Sequence, residues 1–251
     1  MTAGKQQLRE QVWEALRTHG AARFPGTQGR IPNFVGAESA ADRLARLPEW
    51  KKATVLKVNP DAPQLPVRRR ALAEGKRVFM AVPRLTDEHC FIELNPSDLA
   101  RKASKAATIT GARALGRPVR IDQVPPLDLI VCGSVAVNRR GERVGKGGGY
   151  SDLEFGLLRQ AGVVGLRTPV VTTVHPLQIL EDAIEMLPHD IPLDWIVTPD
   201  ATVRCERGHP KPRGVYWEFL TPEKIASIPV LQLLKGAGPH LGGAGTHPRA
   251  T

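Results

Sequence analysis

The 251-residue chain has three cysteines, Cys90, Cys132 and Cys205, far apart and in no C-x-x-C pair. That leaves a disulfide framework or a thiolate zinc site without support. Buried free thiols in a reducing, cytoplasmic setting are the expectation. No apolar run reaches the roughly 18 residues of a membrane span. The N-terminal stretch MTAGKQQLREQVWEAL is polar and amphipathic and shows no secretory signal. Aromatic residues make up only 5% of the chain. Acidic residues are short as well, 25 against 35 Lys and Arg, for a net charge of +10.

An excess of cations suits nucleic acid or a small polyanion such as ATP. The cations run along the whole chain, and the densest stretch, Arg101–Lys146, lacks the interleaved aromatics on which a single strand stacks. Nucleic acid is therefore the weakest of the partner classes, and a small-molecule substrate the strongest. Oligomeric state is left open. The apolar fraction, 41%, is ordinary for a globular protein and allows one domain over residues 1–234, followed by a disordered tail, 235–251.

Leu8, Val12 and Leu16 repeat at helical spacing, predicting a helix over 4–18 that Gly20 stops. Lys5 and Arg9 share one face of it. Ser39 with Asp42 resembles a capping box for a helix to Leu47. ATVLKV (53–58) reads as a strand, Val67–Glu74 as a helix, and 77–82 and 90–94 as strands. The run DLIVCGSVAV (128–137) is apolar throughout, as a central strand buried on both faces would be. A helix over Tyr150–Gln160 follows a Gly-rich loop. Strands at 162–166 and 170–174, a helix from Pro176, strands at 194–198 and ATVRC, and VYWEFL as another strand complete the pattern. A last helix runs from Thr221 to Leu234. Helix and strand alternate, so the fold class is α/β with a mainly parallel open sheet and helices on both faces.

The most informative stretch is NRRGERVGKGGGYSD (138–152), between a buried strand and a helix. Its glycines, Gly145, Gly147, Gly148 and Gly149 among them, let backbone N–H groups turn inward. At a helix N-terminus such groups seat a phosphate. Arg143 and Lys146 add positive charge, and Asp152 could share a Mg²⁺ with phosphate oxygens. The spacing is neither a Walker motif nor G-x-G-x-x-G; a plain surface loop is the competing reading.

G-E-R-V-G-K-G-G-G-Y-S-D resembles the G-x-R-L-G-x-G-x-G-Y-Y-D signature of 5-formyltetrahydrofolate cyclo-ligases. Arg143, Gly145, Gly147, Gly149, Tyr150 and Asp152 match in place. Lys5 and Arg9 resemble the family's opening K-x-x-x-R. EGKRVFMAVPRL, the group Thr172–His175 with Gln178, and HDIPLDWIVT (189–198) agree in order, so the likeness covers 4–205. The resemblance implies a NagB/RpiA/CoA-transferase-like fold and an ATP- and Mg²⁺-dependent closure of 5-formyltetrahydrofolate to 5,10-methenyltetrahydrofolate. It implies Lys146 and Arg143 as the catalytic charges. Lys5, Arg9, the glycines, Tyr150 and Asp152 are placed on the nucleotide, Asp61, Phe34 and Tyr150 on the folate, and Asp152 and Asp190 on the metal.

Two departures stand out. Ser151 replaces the second tyrosine, and NPDAPQLP (59–66) keeps only Asp61 of an acidic cluster. RIPNF (30–34) resembles a block of the diverged methenyltetrahydrofolate synthase domain-containing paralogues. The alternative is therefore a paralogue that binds a nucleotide or phosphorylated metabolite without closing the folate ring.

Overall fold

The computed structural model describes residues 4–206 and 208–236. The expected tail lies outside the described residues, apart from its first two positions, which close the last helix. No helix among the described residues is long and apolar enough to cross a membrane.

Among the described residues, eleven strands form two sheets. They are β1 (Val55–Val58), β2 (Arg77–Ala81), β3 (Phe91–Leu94), β4 (Arg117–Val119), β5 (Leu129–Cys132), β6 (Ala136–Asn138), β7 (Arg143–Val144), β8 (Val170–Thr173), β9 (Ile179–Leu180), β10 (Trp195–Val197) and β11 (Thr202–Arg204). The helices are α1 (Lys5–Thr18), α2 (Ala37–Leu44), α3 (Pro48–Lys52), α4 (Leu65–Ala73), α5 (Pro96–Leu99), α6 (Ala103–Ala106), α7 (Ile109–Leu115), α8 (Tyr150–Gln160), α9 (Pro222–Ser227) and α10 (Pro229–Gly236). The large sheet has the order β11-β10-β8-β5-β1-β2-β3-β4, and the small one β7-β6-β9. From β10 to β2 the large sheet is parallel; β11 pairs antiparallel with β10 on one side, and on the other β3 runs antiparallel to both β2 and β4.

The central strands sort their side chains by period two. Leu56, Val58, Val78, Met80, Leu129 and Val131 face α2, α4 and α7 in one core cluster. Phe79, Ala81, Ile130 and Cys132 face α8 and α10 in the other. Helices therefore cover both faces, as expected of the α/β class. A third cluster packs Leu8, Val12, Trp13 and Leu16 of α1 against Val135, Ala136 and Val144 of the small sheet.

Several expectations are corrected. The run 128–137 is two strands. Its first half joins the large sheet; after Gly133 the chain crosses to the small one. A Cβ at Gly133 would lie 3.0 Å from Ile31 and 3.1 Å from the Asp61 carboxylate, so two other segments press on the chain there. Apolarity alone cannot report such a change of sheet. Strands β2 and β3 pair antiparallel because residues 82–90 are too few for a crossover, which takes about a dozen or more.

Residues 162–166 form a turn whose Val163 and Val164 fill core space without pairing. Pro176 opens only a 3₁₀ turn, and residues 217–219 of VYWEFL do the same. Gly36, with φ +85°, starts α2 ahead of Ser39, so the Ser39–Asp42 pair is not its cap. Pro229 divides the last helix into two; Thr221 caps the first through the Lys224 N–H, as its position suggested.

Candidate functional site at the switch point

Strand β1 lies between β2 and β5. The helix after β1, α4, packs on one face of the sheet, whereas α8, after β5, packs on the other. The carboxyl ends of β1 and β5 therefore border the crevice where doubly wound sheets take ligands. A cavity of about 880 Å³ opens there, lined by Asn59, Asp61, Gly133, Arg143, Ser151 and Glu154 among others. Loop 24–33 forms one wall; Trp13 of α1 holds it through an indole bond of 3.0 Å to the Arg30 carbonyl.

The small sheet delivers the Gly-rich loop to this place. After β6 the chain reverses at Gly141, whose φ of +79° and close approach to the Leu193 carbonyl suit no other residue. Glu142, beside it, accepts from the Ile184 N–H and the side chains of Asn138, Arg140 and His209. Burial alone would raise the pKa of its carboxyl; these donors prevail and bring it down to about 2. Arg143 follows, 3% exposed. It donates to the Gly133 carbonyl at 2.9 Å and to Asp152 Oδ1 at 2.5 Å, and its Nε is buried without a partner among the described residues. Burial opposes its charge, but Asp152 outweighs burial and holds the guanidinium above its ordinary pKa.

Gly147 and Gly149 have φ of +106° and +66°, and Gly149 is the N-cap of α8. No side chain among the described residues caps this helix, so its first N–H groups remain available to an anion. Cations surround the loop. Arg9 Nε donates to the Gly145 carbonyl at 2.7 Å, and Lys5 pairs with Asp190 Oδ2. Lys146 reaches Asp61 at 3.1 Å. Burial lowers the pKa of Arg9, with Asp190 opposing. Asp152 also accepts the N–H of Ile191, the neighbour of Asp190, so both carboxylates lie beside Arg143.

The described residues include no group of three or more His, Cys, Asp or Glu able to hold a metal. A Mg²⁺ held by one or two carboxylates and completed by phosphates and water needs no more than this pair.

Tyr150 lines the cavity, and Ser151 Oγ accepts from Asn59 at 3.2 Å. Phe34 is not brought to the wall. It is buried against Ala37 and Ala40 and lies edge-on to His175, while Ile31 and Asn33 line the cavity in its place. His175 caps the turn at Pro176 through Nδ1. Two groups escaped the sequence reading. Lys224 of α9 donates to the Gly148 carbonyl at 3.0 Å and sits 5.0 Å from the Tyr150 ring centre. Nothing in the spacing of 222–227 signals this. Lys57, 2% exposed in β1, forms an ion pair with Glu154 at 2.5 Å. Its signal was readable: a cation inside ATVLKV must be paired once the strand is buried.

A model of the 5-formyltetrahydrofolate cyclo-ligase family matches residues 1–199. The chain is 40% identical over 237 residues to a methenyltetrahydrofolate synthase domain-containing protein of Bos taurus, covering 92% of this chain and 62% of that one. The Homo sapiens protein of the same name is 37% identical over 235 residues, covering 92% and 61%. The chain thus spans about three-fifths of the length of these relatives. A mitochondrial 5-formyltetrahydrofolate cyclo-ligase of Arabidopsis thaliana is 37% identical over 81 residues, 31% of this chain and 29% of that one. The fold resembles the NMR structure of Aquifex aeolicus 5,10-methenyltetrahydrofolate synthetase, with TM-score 0.52 and 21% identity over 82% of this chain and 94% of that one.

Proposed function

The chain belongs to the 5-formyltetrahydrofolate cyclo-ligase family, and on that premise we propose that it binds Mg·ATP on the Gly-rich loop and closes 5-formyltetrahydrofolate to 5,10-methenyltetrahydrofolate. The observation that carries this reading is the uncapped N-terminus of α8 behind Gly147 and Gly149, ringed by Lys5, Arg9, Arg143, Lys146 and Lys224.

Phosphoryl transfer asks mainly for positioning and charge neutralisation. In the reaction proposed, the formyl oxygen attacks the γ-phosphorus and ADP leaves. N10 then attacks the activated formyl carbon to close the ring, and phosphate leaves together with the N10 proton. The loop N–H groups and Lys146 bind the phosphates. Arg143, fixed on two sides, orients the loop and adds its charge. Lys5 and Arg9 neutralise the outer phosphates from α1. Asp152 and Asp190 would hold Mg²⁺, which supplies neutralisation of the charge on the transferred group. Asp61 and Tyr150 border the folate side. Lys5, Arg143 and Lys146 each pair with a carboxylate. An entering polyphosphate competes for those cations as it binds.

The test is the near-ultraviolet absorbance of methenyltetrahydrofolate with ATP, Mg²⁺ and 5-formyltetrahydrofolate. Growth of the band that depends on all three supports the reading. A second reading, a paralogue that keeps the nucleotide half and has changed the folate half, is favoured by Ser151 being tied to Asn59 and Asp61 to Lys146. No growth at high protein concentration, with Mg·ATP still raising the Tm, selects that reading.

A further inference from the structure

The proposed reaction uses the cationic rim and leaves the polar floor of the cavity without a role. Lys57 projects from β1 on the α8 face, with Nζ 2.5 Å from Glu154 Oε2 and 2.5 Å from Asn59 Oδ1. Asn59 passes its amide N–H to Ser151. Four residues from β1, the loop after it and α8 thus form one chain, Ser151–Asn59–Lys57–Glu154. Asn59, Ser151 and Glu154 line the cavity, and Lys57 lies beneath.

A buried ion pair is poor evidence of a stability role, because desolvation offsets its Coulomb attraction. The acceptor side is also incomplete. A carboxylate offers about four lone-pair sites. Glu154 is 6% exposed, and Lys57, held on its Oε2, is its only polar side-chain partner among the described residues. An under-used acceptor on a cavity wall calls for donors from a ligand. Since Lys57 already balances the charge, the matching ligand edge is neutral. A planar edge with two parallel N–H groups meets a carboxylate in bidentate fashion.

We propose that Glu154, set by Lys57 and Asn59, is the specificity-determining acceptor for the N–H/NH₂ edge of a 2-amino-4-oxopyrimidine ring, the edge that pterins and guanines share. The inference rests on the reading that this cavity is the ligand site, and it adds which edge the site selects.

Two ligand pairs test it on the full chain by fluorescence or calorimetric titration: pterin against lumazine, and guanosine against inosine. In each pair the second member lacks the amino group. The intact protein should prefer the amino member of at least one pair by about tenfold or more, because the other leaves a buried acceptor unpaired. Glu154→Gln should abolish that preference. The double variant Lys57→Met/Glu154→Gln, which buries no charge, should abolish it too and serves if the single variant does not fold. Preference in the pterin pair supports the inference and names a pterin. Preference in the guanosine pair alone supports the inference and removes the folate reading. Equal affinity within both pairs overturns the inference, even if 5-formyltetrahydrofolate is turned over. So does a preference that survives substitution of Glu154.

Discussion

Arg143 and Asp152 stand nine residues apart at the two ends of the Gly-rich loop, and a 2.5 Å contact between Nη2 and Oδ1 closes that loop on itself. Asp152 accepts the Ile191 N–H with the same oxygen, and Arg143 donates to the Gly133 carbonyl. One ion pair therefore joins β5, β7, α8 and the segment before β10. Asp152→Asn strands a buried guanidinium and should cost about 3 kcal/mol or more of unfolding free energy. It should also abolish protection of the Tm by Mg·ATP. An unchanged urea midpoint would contradict the first expectation, and undiminished protection the second.

Lys146 separates binding from folding. Its side chain is 49% exposed and its pair with Asp61 is a surface pair. Lys146→Ala should change stability by no more than about 0.5 kcal/mol. The same substitution should weaken Mg·ATP by roughly tenfold, the loss of one charge-assisted contact. Titration calorimetry beside urea unfolding reads both quantities.

Lys224 ties the C-terminal helices to the loop, and it lies beyond the residues that the family model matches. Burial lowers its pKa, with Asp152 opposing. Lys224→Met keeps the packing against Tyr150 and removes the ammonium group. Proteolysis within 145–149 should accelerate, and Mg·ATP should bind several-fold more weakly. Loop cleavage at the wild-type rate would show that α9 does not hold the loop.

Glu142 should set part of the acid limb of stability. Its carboxyl falls from 4.5 to about 2 on folding. A depressed pKa contributes stability that is complete above the unfolded value and is lost as the pH drops through the folded one. The loss attributable to Glu142 therefore lies between about pH 4.5 and 2. Glu142→Gln should be less stable than wild type at pH 7 and should flatten the slope in that window. Urea midpoints measured from pH 7 down to 2.5 give the comparison.

The three thiols should be inert in the native state. Cys90, Cys132 and Cys205 are all buried. Burial pushes Cys90 and Cys205 up to about 12 and raises Cys132 as well. A disulfide reagent at pH 8 should label none until denaturant is added. A thiol that reacts within seconds would overturn this expectation.

Much of the large sheet was legible in the sequence because its strands are buried on both faces and read as short apolar runs. Helix α1 was legible from the spacing of Leu8, Val12 and Leu16, and α8 from the glycines before it. The bend at 145–149 was legible for a related reason: several glycines between a strand and a helix mark a turn, and Gly147 and Gly149 do take positive φ. Other features left no periodic trace. Val163 and Val164 look like a strand because their burial comes from a turn packed on the core. Phe34 stands in a motif yet turns away from the cavity, toward Ala37 and Ala40.

By itself the sequence determined many of the elements and the gathering of glycines and cations in the loop, since apolar spacing, glycine and charge act over a few residues. Tertiary structure alone decided which distant groups meet. Lys5 finds Asp190, Lys57 finds Glu154 and Lys224 finds Gly148 because strand order and crossovers bring them to one end of the sheet. Such pairings depend on the path of the whole chain, and no local pattern encodes them.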